Sequence, residues 1–209
     1  MILNKPSEKQ IKKTFSVFKK DYVLVPLEIF GKDPYKTLIS TIISSRTKDE
    51  TTLEASKRLF KIAPDIKSLS EQSINKVEKL IYPVSFYKTK SVHLINMSRV
   101  VLEKYNGKIP KTRKELMKLP GVGRKTANLA MNRAFNVPAI AVDTHVHRIS
   151  NTLQWVKTTN PEKTEIDLIE ILPKKYWGET NRLFVSIGRQ YTTQKRLKEF
   201  LENKNLIIS

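Results

Sequence analysis

The chain has 209 residues, enough for one large domain or two small ones, and its 39% of hydrophobic residues is typical of a folded polypeptide and not of a disordered one. It carries 39 Lys and Arg against 20 Asp and Glu, a formal net charge of +19, which favours a polyanionic partner such as nucleic acid. It contains no cysteine, which excludes disulfides and thiolate metal sites.

The sequence also predicts where the protein works. No apolar run approaches the ~20 residues that a membrane-crossing helix needs, and the first residues, MILNKPSEKQ, lack the apolar centre of a signal peptide. We therefore expect a soluble intracellular protein without a membrane partner, cytoplasmic and associated with the nucleoid.

The hydrophobic pattern is helical almost throughout the chain. Over residues 34–46 the apolar side chains recur at the spacing of an amphipathic helix, at Tyr35, Leu38, Ile39, Ile42 and Ile43. Further helices are predicted at 53–60, from a cap at Ser73, at 90–105, at 112–119 with a capping box of Thr112 and Glu115, at 124–135, from Asp143, from Pro161 to before Pro173, at 176–190 and at 193–202. The sequence predicts an all-α fold of eight or more short helices and no sheet.

The segment LPGVGRKTANLAMNRAF, residues 119–135, joins two of these helices through a turn that contains Gly121 and Gly123. Glycine permits backbone angles that other residues resist, and the start of the next helix supplies unpaired N–H groups and a positive dipole end. Such a turn suits an anion, above all a phosphate. A tight helical hairpin with a glycine cap is the structural alternative.

Lys125 follows this turn. Ala127, Ala130, Met131 and Ala134 form the stripe that should face the core, and Lys125 points away from it, toward the mouth of a cleft. A lysine there is either a solvated helix residue or, when its amine is unprotonated, a nucleophile.

Asp143 opens the helix that follows the apolar connector at 138–142. Aspartate is a good N-cap residue, and a carboxylate held at a helix start can also act on a nearby positive centre. The two roles are compatible. His145 and His147 are two residues apart and cannot share a helix face, and His93 has no partner, so we predict no catalytic metal.

The motifs LPGVGRKTAN and VDTHVHR, with DPYKTLISTIISSRTKDE upstream of them, resemble the endonuclease III branch of the helix–hairpin–helix (HhH-GPD) DNA glycosylases. The resemblance covers roughly residues 27–190. It implies two helical domains with a DNA-binding cleft between them. One would be a barrel of about six helices at 27–137, with the helix–hairpin–helix at about 112–135. The other would join residues 1–26 to 138–209.

The resemblance also implies the activity: a bifunctional base excision repair enzyme, a DNA N-glycosylase with AP (β-elimination) lyase activity, that removes oxidised pyrimidines from duplex DNA. The damaged nucleotide would be turned out of the duplex. Lys125 falls at the family's Schiff-base lysine and Asp143 at its catalytic carboxylate. The partner would be duplex DNA with damaged bases or abasic sites, bound by a monomer. The residues expected to contact DNA are Arg46, Phe86, Lys88, Lys118, Leu119, Gly121, Val122, Gly123, Arg124, Thr126, His145 and Arg148.

The chain departs from the family pattern in two respects. The family usually carries four cysteines near its C-terminus that hold an iron–sulfur cluster, and this chain has none, so we expect no cofactor. Arg46 stands where the family often has a glutamine that fills the gap left by the flipped base, and Phe86 stands where a wedging leucine is usual. These changes leave the preferred lesion and opposite base open.

Two alternatives remain. The first is a glycosylase of the same fold with another substrate, either uracil or thymine opposite guanine, or 8-oxoguanine. The segment 37–45 lacks the acidic residue of the adenine-specific branch, and thymine-mismatch relatives commonly have tyrosine at the lysine position. The second is a non-catalytic helix–hairpin–helix DNA-binding protein, which needs the hairpin but not Lys125 together with Asp143.

Overall fold

The computed structural model describes residues 5–207, and within that range every regular element is helical. The all-α fold class is therefore confirmed. The α-helices are α1 Glu8–Lys20, α2 Pro34–Ser44, α3 Asp49–Ile62, α4 Ile66–Ser70, α5 Ile74–Ile81, α6 Tyr87–Tyr105, α7 Arg113–Leu116, α8 Arg124–Phe135, α9 Thr144–Thr152, α10 Pro161–Ile171, α11 Trp177–Gln190 and α12 Gln194–Asn203. None of these helices is long and apolar enough to cross a membrane.

The chain divides into two compact units. The middle unit comprises residues 26–137, and the terminal unit comprises residues 1–25 and 138–209, of which 1–4 and 208–209 lie outside the described residues.

The middle unit contains α2 to α8 around one apolar core. All five apolar positions of the predicted stripe in α2 are buried, and Thr37, Ser40 and Thr41 are buried too, so α2 is enclosed on all sides. Helix α8 packs on α2 through small residues, since Ala127 and Ala130 are fully buried. Small side chains let the two helix backbones approach closely.

The terminal unit has an aromatic core. Phe15 and Phe18 of α1 pack on Phe184 of α11, with ring centroids 5.9 and 5.1 Å apart. Helix α9 packs against α11, and α12 contributes Phe200, whose ring stacks on Tyr191 at 4.2 Å. Helix α11 is thereby surrounded by other helices of its own unit.

Several helix boundaries differ from the predicted ones, each for a local reason. Helix α6 begins at Tyr87 because Phe86 adopts a left-handed conformation as its N-cap. Helix α7 ends at Leu116, earlier than expected, because residues 117–123 form the turn. The Glu115 carboxylate accepts from the Thr112 hydroxyl at 2.6 Å rather than from the Thr112 backbone. Helices α1 and α4 are additional to the predicted helices, and Ser7 and Asp65 form capping boxes at their starts.

Candidate active site and DNA-contact residues

The hairpin turn is built on two buried apolar side chains. Leu119 and Val122 both belong to the core of the middle unit, and the Val122 N–H donates to the Leu119 carbonyl at 3.1 Å. The Arg113 Nε donates to the Asn128 carboxamide at 2.8 Å and joins α7 to α8. Because the two apolar side chains point inward, any contact that residues 119 and 122 make with DNA would come from their backbone.

Gly121 and Gly123 have different structural reasons to be glycine. Gly121 has φ +76°, and a Cβ there would lie 3.0 Å from the Cβ of His93. Gly123 is the N-cap of α8 with φ −88°, and a Cβ there would meet no atom within 4 Å. Only Gly121 is therefore required by the fold, and the space in front of Gly123 is open to a bulky group.

Lys125 lies at the second position of α8 and is exposed, and Lys118 is exposed as well. Arg124 and Thr126 are half-buried. An α-helix leaves the first N–H groups without an intrahelical acceptor, and its N-terminus favours an anion. Two predicted contact residues, Arg124 and Thr126, therefore flank the predicted catalytic residue Lys125 at the start of α8.

Arg46 and Phe86 lie together in the middle unit. Both are exposed residues with left-handed backbones, at φ 55° and 58°, and the Arg46 guanidinium lies 5.7 Å from the centre of the Phe86 ring. For a bulky residue such a conformation is a genuine outlier, and strained residues cluster at functional sites. Lys88, the next predicted contact residue, is exposed in the first turn of α6.

Lys90, two residues after Lys88 in α6, is a lysine that the sequence gave no reason to select. It is buried, with only 6% of its surface exposed. Its ammonium donates to the carbonyls of Ile43 at 2.7 Å and Ser45 at 2.6 Å. Burial lowers the pKa of Lys90 to about 8. A lysine in a helical pattern is normally solvent-exposed, so no sequence feature indicated this residue.

Asp143 is the N-cap of α9, as its position before the helix predicts. One carboxylate oxygen accepts from the backbone N–H groups of His145 at 3.0 Å and Val146 at 2.9 Å. The side chain is half-buried. These two hydrogen bonds fix the orientation of the carboxylate, which is what both the capping role and the catalytic role require.

His145 and Arg148 both pack against the C-terminal half of α11. A Cβ on Gly188 would lie 2.4 Å from Nδ1 of His145, so the ring occupies the space left by glycine. The Arg148 guanidinium donates to the carbonyls of Gly188 at 3.0 Å and Tyr191 at 2.7 Å, and to that of Thr192. Arg148 therefore caps the end of α11, a structural role that accompanies any contact it makes with DNA.

The residues present do not fit an iron–sulfur cluster. Such clusters are held by cysteine thiolates, and the 209 residues include none. After α11 the chain continues into α12, which buries Leu197, Phe200 and Leu201. Among the described residues no group of three or more His, Asp or Glu could hold a metal ion, and the ring of His147 bonds to the Thr164 hydroxyl at 2.6 Å instead.

Comparison with known proteins identifies the family. The model of the HhH-GPD superfamily of base excision DNA repair proteins matches residues 39–174, which is more than half of the chain. The chain belongs to this superfamily. The matched region runs from within α2 through the hairpin turn, Lys125 and Asp143, so all of these features lie in the family's own segment.

Individual HhH-GPD proteins resemble the chain closely. Endonuclease III of Thermotoga maritima is 47% identical over 158 residues, which cover 76% of this chain and 74% of that protein. Endonuclease III-like protein 1 of Gallus gallus is 45% identical over 159 residues, 75% of this chain and 57% of the longer chicken protein. A solved non-covalent endonuclease III–DNA complex is 32% identical, with a TM-score of 0.81 over 91% of this chain and 89% of that one.

These similarities confirm the resemblance to the endonuclease III branch of the HhH-GPD glycosylases. They also confirm the function expected at that level, a base excision repair DNA glycosylase with lyase activity that acts on DNA.

Proposed function

We propose that this chain removes oxidised pyrimidine bases from duplex DNA and then cleaves the strand at the abasic site, with Lys125 as the nucleophile. The observation that carries the proposal is the position of Lys125. It is exposed at the second residue of α8, directly after a turn in which the space in front of Gly123 is open to a DNA phosphate. A nucleophile beside a phosphate site is held next to the sugar that the phosphate belongs to.

The first step would be base excision. The uncharged amine of Lys125 attacks C1′ of the extruded nucleotide, a C1′–N bond to lysine forms, and the glycosidic bond breaks. The electron pair of that bond leaves with the base, which takes up a proton. The nitrogen gives up one proton after the attack, and its lone pair then expels O4′. The C1′–O4′ bond breaks, O4′ keeps the electron pair and takes up a proton, and the product is a protonated imine between Lys125 and C1′.

The second step would be strand cleavage. The imine acts as an electron sink, so a base can remove a proton from C2′ and the C3′–O bond breaks by β-elimination. The 3′ phosphate leaves on the downstream strand. Water then hydrolyses the imine, which releases the unsaturated aldehyde and restores Lys125. This amine chemistry needs neither a metal nor a redox group, and we expect full activity in the presence of a chelator.

Asp143 would assist the first step. Carboxylates stabilise oxocarbenium-like positive charge on a sugar and can accept a proton from an attacking group. The two backbone hydrogen bonds from His145 and Val146 hold the Asp143 carboxylate in one orientation, which supports the assignment.

The remaining predicted contact residues would position the DNA. Backbone N–H groups at Gly121, Gly123 and the start of α8 would hold a phosphate, a contact that fixes register without reading sequence. Val122 and Leu119 would support this turn from the core, since the Val122 N–H is already bonded to the Leu119 carbonyl. Lys88, Lys118, Arg124, Thr126, His145 and Arg148 would add contacts to the strand, and Arg46 and Phe86 would occupy the gap left by the extruded nucleotide. We expect a monomer that works on the DNA of the nucleoid.

Trapping with sodium borohydride tests the proposal, because borohydride reduces an imine to a stable covalent adduct. The wild-type protein should form an adduct with duplex DNA that contains an abasic site, Lys125→Ala should form none, and Lys104→Ala, at an exposed lysine at the end of α6, should behave as wild type. An adduct that persists in Lys125→Ala would show that another amine is the nucleophile. Binding without any adduct or cleavage would indicate a non-catalytic DNA-binding protein.

The lesion is tested separately. Duplexes with an oxidised pyrimidine, uracil or thymine opposite guanine, or 8-oxoguanine should be compared under single-turnover conditions. We expect the oxidised pyrimidine to be excised fastest. Faster excision of a guanine mismatch or of 8-oxoguanine would overturn the substrate assignment and leave the lysine mechanism intact.

A further inference from the structure

Lys90 is held by the turn that carries Arg46. Its ammonium contacts three oxygens, the carbonyls of Ile43 and Ser45 at 2.7 and 2.6 Å and the hydroxyl of Thr47 at 3.3 Å. All three belong to the end of α2 or to the turn that follows it, whereas Lys90 itself lies in the first turn of α6. Burying an ammonium is costly unless its hydrogen bonds are satisfied, and these acceptors satisfy them.

The same hydrogen-bond network also includes Ser85, in the turn that carries Phe86. The backbone N–H of Ser85 donates to the Thr47 hydroxyl at 3.2 Å, and Thr47 in turn donates to the Ser45 carbonyl at 3.3 Å. Lys90 and Thr47 together therefore join the turn that contains Arg46 to the turn that contains Phe86.

Each of the two turns has a strained backbone at its exposed residue, which is Arg46 in one turn and Phe86 in the other. A left-handed conformation is unfavourable for an L-residue because its Cβ lies too close to the following carbonyl oxygen, and both Arg46 and Phe86 adopt it. Phe86 is 60% exposed, so burial of its own side chain does little to offset that cost. The hydrogen bonds of Lys90 lie directly beside the turn of Arg46 and can offset the conformational cost of the left-handed backbone.

We propose that Lys90 is a positioning residue that holds Arg46 and Phe86 as one rigid pair, so that the pair can fill the gap in the duplex after the target nucleotide is extruded. The proposal rests on the proposed function, since it places the two side chains in the gap that the extruded nucleotide leaves in the base stack. Lys90 touches neither substrate nor reacting atoms. It acts through the backbone carbonyls of the turn that carries Arg46.

A purely structural lysine and a positioning lysine differ in which substrates they affect. In a duplex, nucleotide extrusion leaves a gap, and a misplaced side-chain pair would fail to fill it. In single-stranded DNA no stack has to be opened or refilled, so chemistry at Lys125 should proceed without the pair. The ratio of duplex to single-strand reactivity therefore reports on the positioning role, while general damage to the protein lowers both rates.

The test compares Lys90→Met with Lys104→Met. Methionine is unbranched and of similar length but cannot donate hydrogen bonds, and Lys104 is an exposed lysine on the same helix. Borohydride trapping rates are measured on abasic DNA as a duplex and as a single strand. A duplex with a tetrahydrofuran abasic analogue opposite 2-aminopurine adds a fluorescence signal for disturbed stacking at the gap.

In Lys90→Met we expect the duplex rate to fall about tenfold or more relative to the single-strand rate, the size of effect that a small misplacement produces. The 2-aminopurine signal on binding should fall with it, and Lys104→Met should match wild type in both. An equal loss on both substrates, or no loss on either, overturns the positioning role.

Two further comparisons keep the test decisive. If Lys90→Met does not fold, Thr47→Val removes the bridging hydroxyl with little change of shape, and a fall in the same ratio is expected; an unchanged ratio overturns the proposal. A wild-type protein that traps no abasic DNA would refute the proposed function itself. If instead the wild type traps abasic DNA and Lys90→Met traps it with the same ratio of duplex to single-strand rates, only the positioning role of Lys90 is refuted.

Discussion

In the terminal unit, the ring of His145 occupies the space that a side chain at position 188 would need: a Cβ on Gly188 would lie 2.4 Å from Nδ1 and 2.8 Å from Cβ of His145. Even the first atom of the histidine side chain is too close, so a rotation of the ring alone cannot relieve the clash. We predict that Gly188→Ala displaces His145 and lowers the free energy of unfolding by about 1–3 kcal/mol, the usual cost of overpacking. Urea unfolding measures it.

A double-mutant cycle with His145→Ala isolates this contact. Once the ring is removed, Gly188→Ala should cost about 1 kcal/mol less than it does in the wild type. Because His145→Ala keeps the Cβ at position 145, an unchanged cost would mean that the alanine is opposed by this Cβ or by other atoms and not by the imidazole ring.

The helices of this protein are predictable because their signals are local. Ser73, Thr112, Asp143 and Asn160 each accept a hydrogen bond from a backbone N–H in the first turn of the helix that follows, as their positions in the sequence predict. The apolar spacing of α2 likewise reflects direct burial of its own side chains. Caps and periodicity involve only a few consecutive residues, so one sequence is enough to recognise most of them, although the capping boxes of α1 and α4 did not lead to a prediction.

The surroundings of the site depend on residues far apart in the chain. Lys90 contacts Ile43 across 47 positions, and the His145 ring depends on a glycine 43 positions later. The left-handed backbones of Arg46 and Phe86 carry no glycine or asparagine that would announce them. Arg46 and Phe86 were selected by the family resemblance and not by a local signal, and Lys90 looks like an ordinary surface lysine until the fold brings the three residues together.

The two hairpin glycines should respond differently to alanine. Gly121→Ala places a Cβ on a residue with φ +76° and 3.0 Å from the Cβ of His93, so we expect a loss of about 1–3 kcal/mol in the free energy of unfolding. Gly123→Ala adds a Cβ in open space with φ −88°, and its stability should change by less than about 1 kcal/mol, because a poorer N-cap is offset by a stiffer unfolded chain.

Gly123→Ala should be the more stable of these two variants but should bind DNA less tightly than Gly121→Ala. The Cβ of Gly123→Ala would stand where a phosphate is proposed to approach, so binding to an abasic duplex should weaken although the fold is intact. Fluorescence anisotropy at fixed salt measures this affinity. If Gly123→Ala binds as tightly as the wild type, the turn does not hold a phosphate at that point.

Asp143 allows its capping and catalytic roles to be separated. Asparagine caps a helix about as well as aspartate, so Asp143→Asn should keep the hydrogen bonds to His145 and Val146 and unfold within about 1 kcal/mol of the wild type. Asparagine cannot accept a proton or neutralise positive charge. Base excision should therefore fall by roughly a hundredfold or more, the usual loss when an acid–base group is removed, while DNA binding changes little.

Asp143→Ala is the matched comparison, since it removes the cap as well. It should lose about 1 kcal/mol of stability and excise no faster than Asp143→Asn. An Asp143→Asn variant with wild-type excision would assign the residue to the cap alone. Single-turnover excision and urea unfolding of both variants provide the two readouts.

Lys90 should make the stability of the protein depend on pH. Burial lowers the pKa of its ammonium from 10.5 to about 8, whereas in the unfolded chain the group keeps its ordinary pKa. Between about pH 8 and 10.5 the unfolded state therefore binds more protons than the folded state, and stability rises with pH across this window. Below about pH 8 both states are protonated and the contribution is constant. The full change is on the order of 3 kcal/mol.

The comparison with Lys90→Met isolates this titration, because the remaining ionisable groups are common to both proteins. Urea unfolding from about pH 7 to about pH 10 should show the wild type gaining stability relative to Lys90→Met as the pH rises. Lys104→Met, which removes an exposed lysine of the same helix, should show no such trend. A difference between wild type and Lys90→Met that stays flat over this range would mean that the three oxygens around the ammonium hold its proton as firmly as water does.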